Sequence, residues 1–212
     1  MGQRGVRVHK AALTVDPVIG TAVCLLDPIG AMQATGRPRS ASWVLERAVN
    51  PPSRSDRPLL FVDVDGVISL FGFEQDRPPA GSWLNVDGMP HLISATASQH
   101  LLTLSRTFEL VWCTGWEDRA DEHLPHLLGL PVRPPFLTFG VPESTDHWKL
   151  RSIERHAGGR PLAWIDDGFD DSCHAWAAAR PAPTLLVATD PAVGLQAEHV
   201  RRLEAWARPP AA

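Results

Sequence analysis

The strongest structural signal in this chain is the sequence Leu59-Leu60-Phe61-Val62-Asp63-Val64-Asp65-Gly66-Val67. Its apolar part is rich in residues that suit a buried strand, and it is too short for a typical helix. Because side chains alternate along a strand, we expect Asp63 and Asp65 to project from the same face at the carboxyl end of a strand over residues 59–64. In an open α/β sheet, ligands bind at that end of the strands.

Two carboxylates separated by one residue predict a Mg²⁺ site. Like charges this close repel each other unless a cation lies between them, and a hard divalent cation is the usual solution. One of the two carboxylates would then be free to act as a nucleophile. The same pattern also occurs at solvated strand ends and at helix N-caps, so the rest of the chain has to separate these interpretations.

The bulk composition excludes several classes of protein. The 212 residues suit one domain with an appendage. A formal net charge of −4 argues against a protein that binds DNA through a large basic surface. The three cysteines are widely spaced, so we expect neither a disulfide scaffold nor a zinc site, and we expect a cytoplasmic location. No apolar run approaches the ~18 residues of a membrane span, so no membrane partner is expected.

The chain divides by composition into three parts. Residues 1–57 mix Gly, Pro, Arg and Ser with short apolar pieces, which predicts a poorly ordered N-terminal extension. Strand and helix signals alternate over residues 58–208, which predicts an α/β domain with a doubly wound, mostly parallel sheet and helices on both faces. Residues 209–212 form a short tail.

Two features of the domain interrupt the regular alternation of strands and helices. A Pro/Gly-rich insertion lies at about residues 71–92, and within it residues 83–89 predict a small hairpin that turns at Asp87-Gly88. A further short strand is predicted near residues 136–139, ahead of a helix over residues 146–156. The helix is expected to end at Gly158-Gly159.

Four polar points fall at or near the ends of predicted elements. They are Asp63/Asp65, Thr114, Lys149 and Asp166/Asp167. Singly, each has an ordinary explanation, since a threonine after a strand is usually a cap, a lysine in a helix is usually solvated, and an Asp-Asp pair often caps the next helix. Together they supply what phosphoryl transfer needs: a nucleophile, a general acid, donors for the phosphate oxygens and ligands for a metal.

In this order, the four points resemble the haloacid dehalogenase (HAD) superfamily. The matching segments are VDVDGV at 62–67, VWCTGW at 111–116, HWK at 147–149 and WIDD at 164–167. The segments LFVDVDGVI and WCTGW also resemble the branch of the superfamily that is associated with bacterial RNA-repair proteins. The resemblance implies an HAD-like domain over residues 58–208.

The resemblance also implies a role for each residue in the four segments. Asp63 would attack phosphorus and form an aspartyl-phosphate, and Asp65 would protonate the leaving group and then activate water. Thr114 would hydrogen-bond a phosphoryl oxygen. Lys149 would hold both the nucleophile and the transferred phosphate, and Gly115 and Trp116 would join Thr114 and Lys149 in binding substrate.

The resemblance implies a Mg²⁺ ion as cofactor. It would be held by Asp63, by the main-chain carbonyl of Asp65, and by one of Asp166 and Asp167. Asp167 is favoured as the direct ligand, with Asp166 as the residue that orients Lys149 or a metal-bound water. The implied function is a Mg²⁺-dependent phosphomonoester hydrolase, and the presence of Asp65 favours hydrolysis of a phosphate over cleavage of a carbon–halogen bond.

The substrate is predicted from the size of the insertion. In this superfamily a cap module usually sets specificity, and the short stretch between Gly66 and the second motif leaves room for a small β-hairpin flap instead of a full cap. Such an open site admits large substrates, such as a phosphorylated protein or a nucleic-acid end, and the expected partner is a nucleotide or a nucleic-acid end phosphate. Trp83, Trp116 and Trp148 are candidates for stacking on bases, or alternatively for packing in the core.

Two other classes of protein share some of these residues. A two-component receiver domain combines carboxylates, Thr and Lys on a doubly wound sheet, but its acidic pair comes early, whereas here Asp166/Asp167 follow Lys149. The second alternative is a catalytically silent HAD-like domain that binds phosphate or nucleic acid. Both aspartates of the first motif are intact, which favours the enzyme.

Overall fold

The computed structural model describes residues 57–141 and 146–208. The predicted extension, apart from its last residue, and the predicted tail therefore lie outside the described residues. Seven strands and five helices are described, in the order β1 (Leu59–Val62), β2 (Ser69–Leu70), β3 (Gly81–Val86), β4 (Met89–Ser94), α1 (Ala97–Leu104), β5 (Glu109–Trp112), α2 (Asp118–Leu128), α3 (Leu150–Ala157), β6 (Leu162–Asp166), α4 (Asp171–Ala179), β7 (Thr184–Ala188) and α5 (Ala197–Ala207). None of these helices is long and apolar enough to cross a membrane.

Four parallel strands form the central sheet, in the order β5-β1-β6-β7. Strand β1 is fully buried, and it pairs with β5 on one side and β6 on the other, so that Val62 lies opposite both Trp112 and Ile165. The carboxyl ends of these three strands therefore meet at one edge of the sheet. The first, second and fourth sequence motifs lie at this edge.

Helices cover both faces of the sheet, which confirms the predicted doubly wound α/β fold. Alternate residues of β1 enter two different cores, Leu60 and Val62 on one face and Leu59 and Phe61 on the other. The first core is closed by apolar residues of α1, α2 and α5, and the second by α3 and α4. The alternation follows directly from the period of two along a strand.

A second, antiparallel sheet lies between β1 and α1 in the chain, with the order β2-β4-β3. The predicted hairpin is present as β3 and β4, and its turn places Asp87 at φ 52° and Gly88 at φ 86°. Two consecutive positive φ angles are the mark of the tight turn that suits the twist of paired strands. The sheet is larger than predicted, because β2 adds a third strand. Its role as a flap stays a prediction.

Three elements are shorter than the sequence predicts. Strand β1 ends at Val62 rather than at residue 64, and α3 begins at Leu150 rather than at 146. The predicted strand at 136–139 is reduced to a single parallel bridge between Phe136 and Trp112. Pro135 precedes this bridge and has no N–H to donate, which limits how far the segment can pair.

Candidate active site

Asp63 lies directly after β1, at the point where the central strand ends. Its residue exposure is 6%, and its main-chain N–H donates to the Ile165 carbonyl on β6 at 3.1 Å. One carboxylate oxygen, Oδ1, accepts a hydrogen bond from the Val64 N–H at 2.8 Å, and the other, Oδ2, lies 2.9 Å from Lys149 Nζ. Both oxygens of the predicted nucleophile are therefore held in place.

Lys149 is buried between two carboxylates. It is the residue before α3, its side chain is 3% exposed, and Nζ lies 2.9 Å from Asp63 and 2.7 Å from Asp166 Oδ2. Asp166 ends β6 and also accepts hydrogen bonds from Trp164 Nε1 at 3.0 Å and from the Gly168 N–H. An ammonium group that loses water in this way requires charged partners, and two aspartates supply them.

Three carboxylates come together at this edge of the sheet. Oxygen atoms of Asp63, Asp166 and Asp167 all lie within 4.8 Å of one another, and this cluster could hold a metal ion. Gly66 allows the close approach, because its φ is +71° and a Cβ atom at this position would clash with the Asp167 carboxyl group. The glycine of the first motif thus gives the Asp167 side chain room against the turn that follows Asp63.

The charges of the cluster do not balance. Burial, with a smaller contribution from the Asp166 carboxylate, raises the pKa of Asp63 to about 7, against the lowering effect of Lys149. Burial also raises the pKa of Asp167, as does Asp166. For Lys149, burial lowers the pKa, but the Asp63 and Asp166 carboxylates outweigh it, and the net shift is upward. The Lys149 ammonium is one positive charge beside three carboxylates, so a bound cation would be stabilised at this cluster.

Thr114 and Gly115 lie after β5, beside the carboxylate cluster. Thr114 is 1% exposed, and its Oγ1 accepts a hydrogen bond from the Trp116 N–H at 3.3 Å. A hydroxyl that accepts in this way still has a proton to donate. Gly115 is exposed and faces the ring of Trp148, which would lie 3.8 Å from a Cβ placed there. Trp148 in turn lies under the Lys149 ammonium, 5.0 Å from the ring centroid.

Asp65 occupies a different position from the other aspartates. Its side chain is 48% exposed and lies outside the three-carboxylate cluster. Oδ2 accepts a hydrogen bond from Trp116 Nε1 at 2.9 Å, and Oδ1 is 3.6 Å from Nδ1 of His91 on β4. The predicted strand over residues 59–64 is too long, because β1 ends at Val62 and the chain then turns, with the Ser69 N–H donating to the Val64 carbonyl at 2.8 Å. Asp63 and Asp65 therefore both follow the strand.

The sequence profile of a family described as "HAD domain in Swiss Army Knife RNA repair proteins" matches residues 59–200, more than half of the chain. The chain belongs to this family. No curated protein sequence matches it. The match runs from β1 into α5 and includes every site residue named from the sequence. The domain is therefore of the HAD hydrolase, phosphatase-like type, and the resemblance seen in the sequence is confirmed.

Within this HAD domain, six of the eight predicted site residues form two groups. The first contains Asp63, Lys149, Asp166 and Asp167, and the second joins Asp65 to Trp116. The ion pair between Asp166 and Lys149 has the form expected if Asp166 orients the lysine. The individual catalytic, substrate-binding and metal-binding roles stay predictions.

Sequence reasoning missed two residues that contact the site. His91 lies on β4, packs its ring at 4.4 Å from that of Trp116, and forms a 3.0 Å hydrogen bond with Ser69 Oγ. Trp164, on β6, donates to Asp166. Nothing near His91 marks it as functional, since it is one histidine in a hairpin. Trp164 stands two residues before Asp166, and side chains two residues apart lie on the same face of a strand. That spacing was the one signal in the sequence that could have placed Trp164 beside Asp166.

Proposed function

We propose that this HAD domain hydrolyses phosphomonoesters with the help of Mg²⁺, through an aspartyl-phosphate formed on Asp63. The observation that carries the proposal is the buried Lys149 ammonium, which lies 2.9 Å from Asp63 and 2.7 Å from Asp166. A purely structural ion pair needs one carboxylate, whereas this lysine lies beside a cluster of three. Such an excess of buried acid suits a site that takes up a cation together with a phosphate.

The residues present fit a magnesium ion. Hard oxygen donors are the ligands that Mg²⁺ prefers, and the cluster offers carboxylate oxygens of Asp63, Asp166 and Asp167 within 4.8 Å of one another. The sulfur atom nearby belongs to Cys113, and burial raises the pKa of its thiol, which stays neutral. When bound, Mg²⁺ would keep the carboxylates ionised and offset the negative charge of the phosphoryl group.

The chain's own residues would perform the chemistry in two steps. In the first, a carboxylate oxygen of Asp63 attacks phosphorus while Asp65 gives its proton to the departing ester oxygen. In the second, Asp65 takes a proton from water, which attacks the aspartyl-phosphate and releases inorganic phosphate. Lys149 and the hydroxyl of Thr114 would donate hydrogen bonds to the phosphoryl oxygens as charge develops on them.

The proposed substrate is a terminal phosphate on a nucleic acid, with RNA favoured by the family description, which names RNA repair proteins. The insertion after β1 forms a three-stranded sheet rather than a folded cap, which suits access by a large substrate. Trp148 is 41% exposed beside Gly115 and offers a flat apolar surface next to the site. A base adjoining the terminal phosphate could stack on it.

The test is a phosphatase assay on the purified full chain. The panel holds 4-nitrophenyl phosphate, nucleoside monophosphates, small sugar phosphates, and oligoribonucleotides with 3′- or 5′-phosphates, each with Mg²⁺ and with EDTA. We expect Mg²⁺-dependent release of phosphate that is fastest from an oligonucleotide end. We expect Asp63→Asn to abolish turnover, while Asp76→Asn, which changes an exposed aspartate in the insertion, keeps wild-type activity.

A second measurement addresses the mechanism directly. Wild-type protein that is quenched in acid during turnover should gain the mass of one phosphoryl group on the peptide that contains Asp63. Absence of Mg²⁺-dependent turnover on the whole panel would overturn the proposal and favour a silent phosphate-binding domain. Turnover that survives in Asp63→Asn would overturn the assignment of the nucleophile.

A further inference from the structure

A single hydrogen bond sets the orientation of the Asp65 carboxyl group. Its Oδ2 accepts from Trp116 Nε1 at 2.9 Å, whereas Oδ1 is 3.6 Å from His91 Nδ1, beyond hydrogen-bond distance. His91 Nδ1 instead forms its 3.0 Å bond with Ser69 Oγ. Within the described part of the chain, Oδ1 therefore accepts no hydrogen bond, and Oδ2 is the oxygen that is occupied.

The donor is rigid, although the acceptor is half-exposed. Trp116 is 7% exposed and belongs to the core formed with α1, α2 and α5, and the His91 ring packs against it at 4.4 Å. Without this bond, the exposed carboxyl group would rotate freely, and fixing it in one orientation for reaction would cost conformational entropy. The buried indole removes that freedom.

The chemistry of tryptophan gives this bond a direction. The indole N–H only donates, so Oδ2 must act as acceptor in both the ionised and the protonated states of Asp65. When Asp65 carries a proton, that proton then belongs on Oδ1. The bond from Trp116 thus separates the two oxygens into one that is held and one that transfers the proton.

We propose that Trp116 is a positioning residue for Asp65, and that Oδ1 of Asp65 is the atom that exchanges the proton. This inference rests on the proposed function. In the first step, the proton on Oδ1 passes to the ester oxygen as the bond from that oxygen to phosphorus breaks and the bond from Asp63 to phosphorus forms. In the second step, Oδ1 takes a proton from the attacking water as the bond between phosphorus and Asp63 breaks.

The substitution Trp116→Phe tests the inference, because it removes the N–H and keeps an aromatic ring in the core. A general acid matters most for a poor leaving group and least for a good one. We therefore compare kcat/KM for an alkyl phosphate with kcat/KM for 4-nitrophenyl phosphate. We expect Trp116→Phe to lower the alkyl value about tenfold and the aryl value about twofold or less, because loss of the positioning bond removes only part of the ~10²–10⁴-fold that a general acid contributes.

Two reference variants make the comparison specific. Asp65→Asn should also lower kcat/KM more for the alkyl phosphate than for 4-nitrophenyl phosphate, and its loss on the alkyl phosphate should exceed that of Trp116→Phe. Trp176→Phe removes a matched indole hydrogen bond, from Nε1 to Glu154 Oε2 at 3.1 Å, and should leave the ratio of the two kcat/KM values unchanged. Thermal unfolding of each variant reports whether the fold is kept, and Trp116→Met, which also lacks a donor, replaces Trp116→Phe if that variant does not fold.

The outcomes separate this inference from the function on which it rests. Suppose that wild type is active and that Asp65→Asn loses kcat/KM mainly on the alkyl phosphate. If Trp116→Phe then lowers kcat/KM equally on both substrates, or on neither, the role of Trp116 is overturned and the proposed hydrolase activity stands. If wild type hydrolyses no phosphomonoester, or Asp65→Asn shows no selectivity for the leaving group, the proposed mechanism fails first, and the positioning role fails with it.

Discussion

Burial of Asp63 should make the stability of the metal-free protein depend on pH, and Asp63→Asn should remove that dependence. Burial raises the pKa of Asp63 from 3.8 to about 7. One pKa unit corresponds to 1.36 kcal/mol, so ionised Asp63 destabilises the folded state by about 4 kcal/mol relative to the unfolded chain. Asparagine keeps an acceptor for the Val64 N–H, and Lys149 keeps its contact with Asp166.

The sign of the effect follows from which state binds the proton more tightly. Because the pKa is higher in the folded state, the folded protein keeps the Asp63 proton when the unfolded chain has lost it. Below about pH 3.8 the carboxyl is protonated in both states and costs nothing. The destabilisation grows as the pH rises from about 4 to about 7, and it is constant above that.

The assay is urea unfolding in EDTA at a series of pH values from 4.5 to 8.5. We expect Asp63→Asn to be more stable than wild type by about 4 kcal/mol at pH 8 and by much less at pH 4.5. Asp170→Asn is a control of opposite sign, because hydrogen bonds from Ser172 and Cys173 lower the pKa of Asp170. It should be less stable than wild type by a nearly constant amount over this range, because the pKa of Asp170 lies below 3.8 in the folded state and its stabilisation is lost only at lower pH.

Addition of Mg²⁺ should reduce the difference in stability between Asp63→Asn and wild type. An ion that binds only the folded state stabilises it in proportion to the logarithm of its concentration, and Asp63→Asn lacks one of the proposed ligands. Wild type should therefore gain more stability than the variant. If Asp63→Asn is no more stable than wild type at any pH in EDTA, burial does not penalise this carboxylate, and the electrostatic argument for a cation is wrong.

Three further predictions concern the packing and charge around the site. Trp112→Phe should be less destabilising than Trp164→Phe, by about 1–3 kcal/mol in urea unfolding. Both indoles are fully buried, but Trp112 Nε1 has no acceptor among the described residues, whereas Trp164 Nε1 donates to the Asp166 carboxylate. Gly66→Ala places a Cβ against Asp167 at φ +71°, and should cost about 1–2 kcal/mol and weaken Mg²⁺ binding in calorimetry. Lys149→Met removes a buried ammonium from two carboxylates and should destabilise the metal-free protein at pH 8 by about 3–5 kcal/mol in urea, with part of the loss recovered on adding Mg²⁺.

The secondary structure was largely predictable because its signals are local. The apolar run at Leu59–Val62, the Asp87-Gly88 turn and the helix end at Gly158 each depend on a few neighbouring residues. Gly158 ends α3 with φ 52°, a conformation that glycine adopts without steric cost. The β2 strand was missed, because a two-residue strand has no periodicity and exists only through its pairing with β4.

The order of the four motifs is a property of the sequence. It predicted the family, the parallel sheet and the edge of the sheet at which the polar residues meet. The environment of each carboxylate was decided by tertiary structure. Lys149 reaches Asp63 only because β6 and α3 pack against β1 and bury both side chains, and burial in turn shifts their pKa values. Asp65 lies outside that cluster and accepts its hydrogen bond from Trp116, far along the chain. Desolvation and charge pairing depend on which distant segments surround a group, and a one-dimensional pattern does not contain that information.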